Sequence, residues 1–141
     1  MKKYYSISQV AKATQCKVQT IRYYEDINLL NKVQRNTGNQ RIYDQQQLDR
    51  LKFIRHSRDL GFSLDQIREI LAISDNKNHS CQQVNDIAFN HLKEVDSKIK
   101  RLQGMKNELN RMINDCNGNR IADCKIIEVL SDHELCIDAI H

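Results

Sequence analysis

Residues 6–26, SISQVAKATQCKVQTIRYYED, decide the fold of this chain. Ser6 and Gln9 have the spacing of a capping box, in which a serine at a helix start and a glutamine three residues later bind each other's backbone amides. Apolar residues recur at helical spacing up to a break at residues 14–16, and again over residues 17–26. Two short helices joined by a tight turn predict a helix-turn-helix. We expect Cys16, in the turn, to be a buried free cysteine and not a metal ligand.

Residues 33–75 extend this head. Val33 and Ile42–Tyr43 are β-favouring residues around a turn-rich, arginine-bearing stretch, which predicts a small hairpin wing. Asp44 and Ser63 each open a further capping-box pattern, and Gly61 is the predicted stop between the two helices. The residues predicted to face inward are Leu48, Leu51, Phe53, Ile54 and Leu60 on the first helix, and Ile67, Ile70 and Leu71 on the second.

The chain beyond residue 80 has the pattern of one long helix. Apolar residues alternate four and three apart from Ala88 to Ile113, with Lys106 as the one interruption, and this is a heptad seam. A helix with an exposed seam needs a partner. In a chain of 141 residues, the natural partner is a second copy.

Three cysteines frame this helix. Cys81 opens it, and Cys116 and Cys124 follow its end. Because a helix rises about 1.5 Å per residue, Cys81 and Cys116 of one chain are expected roughly 50 Å apart. In an antiparallel dimer, Cys81 of one subunit would meet Cys116 and Cys124 of the other, which predicts a soft-metal site that needs both subunits. His133 and Cys136 are possible additional ligands.

The predicted fold class is mostly α. We expect a winged helix-turn-helix DNA-binding domain at residues 1–75, a dimerisation coiled-coil helix at residues 80–115, and a metal-binding loop with a C-terminal tail at residues 116–141. The absence of proline and the presence of only 4 glycines favour long helices over an all-β design.

Charge and composition narrow the class of protein. Residues 1–75 hold 13 Lys+Arg against 8 Asp+Glu, whereas residues 76–141 hold 9 against 10, as expected for a nucleic-acid-binding head on a dimerising tail. No apolar run approaches the ~20 residues that span a bilayer, and the N-terminus lacks a signal peptide. We therefore predict a cytoplasmic protein with no membrane partner, in which 5 cysteines indicate metal or redox chemistry and not a disulfide framework.

These motifs resemble the MerR family of transcriptional regulators, and the resemblance covers residues ~4–130. The segments that carry it are Ile7–Ala11, Thr20–Glu25 (TIRYYE), Leu29–Leu30, Arg41–Tyr43 and Gly61–Ile67 (GFSLDQI). It implies a homodimer with an antiparallel coiled coil between two winged heads. It also implies a promoter whose two polymerase-recognition elements are spaced too far apart, which the inducer-bound protein distorts so that RNA polymerase reads both.

The resemblance also directs attention to particular DNA-binding residues. Side chains on the second helix are expected at bases and phosphates, and a helix start suits a phosphate. The candidates are Arg22 and Tyr23 on that helix, Lys17 and Gln19 at its start, and Arg35 and Arg41 on the wing.

The identity of the metal stays open between two readings. Relatives that sense copper carry serine where this chain has Cys81, and relatives that sense divalent metals carry cysteine there. This favours a divalent soft ion, cadmium, lead or zinc, with mercury less favoured. The short loop from Cys116 to Cys124 resembles the copper branch, so a Cu(I)-responsive regulator is the alternative. We give the third thiolate more weight, because it changes the coordination directly and loops tolerate insertions.

Other classes of function fit the sequence less well. An iron–sulfur sensor needs four closely spaced cysteines, and a drug-sensing relative needs a larger C-terminal domain. A metal-binding dimer with only nonspecific DNA affinity is the alternative from a different class, and it would show no sequence preference in a salt-varied binding assay. We predict no enzymatic activity, because the chain carries no paired carboxylates, no Ser/His/Asp set and no phosphate loop.

Overall fold

The computed structural model describes residues 3–116, 120–121 and 124–132. The chain divides into two units, residues 1–84 and residues 85–141. In the part described, no helix is both long enough and apolar enough to cross a membrane. Most of the described elements are helical, as the sequence predicts.

The first unit contains the predicted winged helix-turn-helix. Its elements, in chain order, are strand β1 (Tyr5–Ser6), helices α1 (Ile7–Thr14) and α2 (Val18–Asp26), strands β2 (Gln34–Arg35) and β3 (Arg41–Tyr43), and helices α3 (Gln45–Asp59) and α4 (Leu64–Ser74). Gln15 adopts the left-handed conformation, with φ of 56°, and turns the chain between α1 and α2. Helix α5 (Gln82–Asp115) begins at the end of this unit.

All three predicted capping boxes are confirmed. Ser6, Asp44 and Ser63 are the N-caps of α1, α3 and α4, and in each case the side chain accepts from the third helical amide while the glutamine there binds back to the cap amide. The predicted stop after α3 is also confirmed, because Gly61 has a φ of 88°, a conformation that glycine adopts without strain.

The wing contains one more strand than the sequence predicts. Strand β1 pairs antiparallel with β3, and the strand order is β1-β3-β2. Tyr5 lies opposite Tyr43, and Ser6 lies opposite Ile42. A strand of two residues is too short to show alternation, so only its pairing partner identifies it. This strand fixes the start of α1 to the wing.

The core of the first unit joins the helices to the wing. Fully buried side chains include Val10, Ile21, Leu51, Ile67 and Tyr43. Cys16 belongs to this core, which confirms that it packs as a small apolar residue.

The prediction that Phe53 and Leu60 face inward is wrong, because both are exposed. The buried residues of α3 include Leu48, Leu51 and Ile54, which form one stripe three residues apart. At about 100° per residue, Phe53 and Leu60 lie roughly opposite that stripe. Their mutual spacing of seven residues places them together on the outer face.

The second unit contains most of α5 and helix α6 (Lys125–Ser131). Helix α6 lies in a segment for which the sequence predicts only a tail. The predicted seam of α5 is largely exposed along its length, with Leu92, Ile99, Leu102, Leu109 and Ile113 open to solvent. A different stripe of α5, Gly104, Glu108 and Met112, is buried. The packing within a single chain therefore leaves the heptad seam exposed.

Candidate nucleic-acid interface and metal-ligating cysteines

A concave surface of about 340 Å³ lies where the start of α1, helix α2 and the wing meet. We call this surface the basic groove. Its lining residues are Ser6, Ile7, Ser8, Arg22, Arg35, Asn39, Gln40 and Arg41. Three of the six predicted DNA-binding residues thus share one concave surface. Three guanidinium groups in a groove suit a phosphate backbone.

Helix α2 presents Arg22 and Tyr23 because their neighbours face the core. Ile21 and Tyr24 are buried, which turns the intervening two side chains outward. Tyr23 is half exposed, and its ring centroid lies 6.2 Å from that of Tyr24 at an interplanar angle of 49°. Arg22 lines the basic groove, whereas Tyr23 lies outside it.

Lys17 and Gln19 occupy the first turn of α2 and are exposed, but neither lines the basic groove. Lys17 is the N-cap residue, and in the part of the chain described it makes no side-chain capping hydrogen bond. The first amides of α2 therefore have no side-chain cap from this residue. Such a helix start suits an anion, as a DNA phosphate would provide.

The two wing arginines face each other across the β2–β3 ladder, where Arg35 is the register partner of Arg41. Arg35 Nη1 donates to the Asn39 carbonyl oxygen at 3.0 Å, within the wing turn. Arg41 Nε donates to Glu25 Oε2, also at 3.0 Å. Each guanidinium is therefore anchored through one nitrogen and keeps further N–H groups for an external acceptor.

Glu25 is a functional candidate that no motif in the sequence indicates. It lies near the C-terminal end of α2, within the segment that carries the family resemblance, but its partner is 16 residues away on another element. No local spacing rule pairs residues across a helix and a distant strand. Only the tertiary structure identifies Glu25 as the anchor of Arg41.

Two tyrosines of the head, Tyr24 and Tyr43, are buried in its core. Burial raises the pKa of Tyr43, and the nearby Glu25 carboxylate raises it further. Burial likewise raises the pKa of Tyr24. Both phenols therefore stay neutral at physiological pH and pack as core residues of the head.

Two of the three predicted metal-ligating cysteines lie together. Cys116 Sγ and Cys124 Sγ are 3.9 Å apart, and both residues are half-buried. Cys124 is the N-cap of α6. The Ile127 amide lowers the pKa of the Cys124 thiol most, and the Ile126 amide and the Cys116 side chain lower it further, whereas burial opposes them. Thiolate is the form that binds metals.

The remaining predicted ligands are not assembled with this pair in the residues described. Cys81 is exposed and precedes α5. Among residues 3–116, 120–121 and 124–132, no group of three or more His, Cys, Asp or Glu side chains lies close enough to hold a metal ion. His133 and Cys136 fall outside the described residues.

The fold and the basic groove define a winged helix-turn-helix DNA-binding protein. Comparison with known families assigns residues 5–73 to the MerR HTH family regulatory proteins and residues 48–112 to the MerR, DNA binding family. The chain belongs to the MerR family of transcriptional regulators.

Individual relatives match over most of their length. The chain is 41% identical over 129 residues to the HTH-type transcriptional regulator ZntR of Escherichia coli K12, covering 89% of this chain and 92% of that protein. It is 33% identical over 127 residues to the heavy metal-dependent transcription regulator 2 of Rhizobium meliloti, covering 90% and 86%. The crystal structure of the transcription regulator PbrR691 from Ralstonia metallidurans CH34 in complex with lead(II) matches with a TM-score of 0.76 and 35% identity, covering 89% and 98%.

Proposed function

We propose that this chain is a homodimeric, metal-responsive regulator that activates a metal-resistance or efflux promoter. Its head, residues 1–75, binds operator DNA, its helix at residues 80–115 dimerises, and residues 116–141 bind the inducer. The inducer is a divalent soft metal ion: cadmium, lead or zinc. Metal binding changes how the dimer distorts the DNA, so that RNA polymerase engages the promoter. We place this function in the cytoplasm, where promoter DNA and reduced thiols occur together.

The facing sulfurs of Cys116 and Cys124 are the observation that carries the proposal. The separation of 3.9 Å is short enough for one soft metal ion to bind both sulfurs. The lowered pKa of the Cys124 thiol supports thiolate ligation.

Cys81 completes the proposed ligand set from the second subunit. It is exposed, so it is available to a partner. A third thiolate suits a divalent soft ion better than Cu(I). Two relatives support a metal ion as the inducer, because one is named a heavy metal-dependent transcription regulator and the structure of the other was solved in complex with lead(II).

The exposed seam of α5 supports the homodimer. Leu92, Ile99, Leu102, Leu109 and Ile113 are open to solvent, and a row of large apolar side chains at heptad spacing is stable in water only when a partner helix covers it.

A transcription assay tests the proposal. Reduced wild type, Cys81→Ser and Cys16→Ala are titrated anaerobically with Cu(I), Zn(II), Cd(II), Pb(II) and Hg(II), and transcription from the promoter upstream of the protein's own gene is followed with thiolate–metal absorbance. We expect cadmium, lead or zinc to activate wild type and Cys16→Ala but not Cys81→Ser. Activation by Cu(I) alone, with Cys81→Ser unaffected, would make the protein a copper regulator.

A further inference from the structure

A carboxylate lies beside the basic groove, where it opposes the approach of a polyanion. Glu25 Oε2 is 3.0 Å from Arg41 Nε, and the two side chains are 23% and 24% exposed. A negative charge at this place lowers the attraction of the groove for any phosphate. Its contribution to DNA binding must therefore come from where it holds Arg41 and not from net charge.

Glu25 relieves an electrostatic conflict within the wing. Arg35 and Arg41 are directly opposite each other in the β2–β3 ladder, and like charges in that position destabilise a strand pair. Arg35 is drawn into the wing turn by the Asn39 carbonyl oxygen. Arg41 is drawn the other way, toward α2, by Glu25. The two arginines are therefore neighbours in the ladder, but their guanidinium groups are held by different partners.

The ion pair also joins two elements that both line the basic groove. Glu25 belongs to α2, and Arg41 is the first residue of β3. Arginine presents its N–H groups in a rigid planar fork, so holding Nε sets the direction of Nη1 and Nη2. The donors that Arg41 offers to the groove therefore follow the position of α2.

We infer that Glu25 is a specificity-determining positioning residue, which aims Arg41 so that the wing contacts its phosphate only when α2 is docked in the operator register. The inference rests on the proposed function, because it requires operator recognition by the head. The wing contact, which reads no bases, thereby amplifies the discrimination that α2 makes.

A competition between two DNA duplexes tests this inference. One duplex is the sequence that the full-length wild-type dimer selects from a random library, and the other holds the same bases in shuffled order. Affinities are measured by fluorescence anisotropy across a salt series for wild type, Glu25→Gln, Glu25→Asp, Arg41→Gln and the double variant Glu25→Gln/Arg41→Gln. Glu69→Gln, an exposed glutamate on α4, removes the same charge away from the groove. Thermal unfolding of each variant checks that the head is folded.

For Glu25→Gln we expect tighter binding of the shuffled duplex and weaker binding of the selected one, so that their affinity ratio falls roughly three- to tenfold. Glu25→Asp should restore part of the ratio, and in the Arg41→Gln background the Glu25 change should add nothing. Glu69→Gln should shift both affinities together. Equal behaviour of Glu25→Gln and Glu69→Gln, or an undiminished Glu25 effect without Arg41, would overturn the inference alone. A wild-type protein that selects no preferred duplex would overturn the proposed function as well.

Discussion

At the scale of single residues, short polar side chains decide where the helices of the head begin. Ser6, Asp44 and Ser63 each bind the third amide of their helix, and the glutamine at that position binds back. These bonds satisfy amides that would otherwise lack an intrahelical partner. The start of α4 is thus coded in four consecutive residues and needs no tertiary contact.

Removing one cap should lower the stability of the head by a measurable amount. We expect Ser63→Ala to lower the free energy of unfolding by about 1 kcal/mol, because the capping bond to Gln66 N is lost. Ser8→Ala, an exposed position in α1 with no capping bond, is the control and should change it little. Urea denaturation followed by circular dichroism measures both. Equal effects of the two changes would mean that the capping box does not stabilise α4.

Arg35 is the residue best suited to a test of the phosphate contacts of the groove. Its guanidinium is anchored in the wing turn and lines the basic groove. If it binds a phosphate, Arg35→Gln should weaken selected and shuffled DNA alike and lower the slope of log affinity against log salt by about one. Lys77→Gln, in the exposed linker after α4, is the matched charge control. A loss confined to the selected duplex would instead indicate that Arg35 reads bases.

At the scale of elements, helix α5 carries two different faces. The stripe of Gly104, Glu108 and Met112 is buried in the second unit, and Glu108 pairs there with Arg111. The seam through Leu102, Leu109 and Ile113 is exposed. The first face is buried within the chain. The second face is exposed, which supports the proposed dimer.

A charge placed on the seam should dissociate the proposed dimer. Leu102 on α5 is 61% exposed, and Leu60, the residue that follows α3, is 60% exposed, so a change to glutamate costs each chain about the same when monomeric. We expect Leu102→Glu to give a monomer in sedimentation velocity, because a buried charge in a coiled-coil seam is unpaired. Leu60→Glu should remain a dimer. A dimeric Leu102→Glu protein would place the dimer contact elsewhere.

At the scale of the whole molecule, the proposed metal site exists only when two chains associate. Two of its thiols lie on one chain at 3.9 Å, and the third, Cys81, would come from the partner. Metal binding and dimerisation are then linked, because each favours the same assembled state. The sensor and the DNA-binding heads would be coupled through the dimer.

This linkage predicts stabilisation by the inducer. At a free metal concentration of ~100 times the dissociation constant, binding to the native state alone adds ~2.7 kcal/mol. We expect cadmium(II) to raise the melting temperature of the wild-type dimer, and Cys81→Ser to lose most of this rise. Differential scanning fluorimetry under anaerobic conditions measures it, with Ser80→Ala as the neighbouring control. An undiminished rise in Cys81→Ser would remove Cys81 from the ligand set.

Much of the head could be predicted from the sequence because its signals are local. Capping boxes, the turn at Gln15 and the stop at Gly61 each depend on a few adjacent residues, and all were confirmed. The prediction that Phe53 and Leu60 face inward is wrong because it was based on their hydrophobicity and not on their angular position around the helix. Strand β1 was not predicted because two residues are too few to show the alternation of apolar and polar side chains that marks a strand.

The sequence alone determined the family, the capped starts of α1, α3 and α4, and the identity of the candidate ligands, since motifs and spacings are properties of the chain. Only the tertiary structure decided which of these residues meet. It gathers Arg22, Arg35 and Arg41 into one groove, pairs Arg41 with Glu25, and sets the sulfurs of Cys116 and Cys124 face to face. The physical reason is that such contacts depend on the packing of elements distant along the chain, and no local propensity encodes that packing.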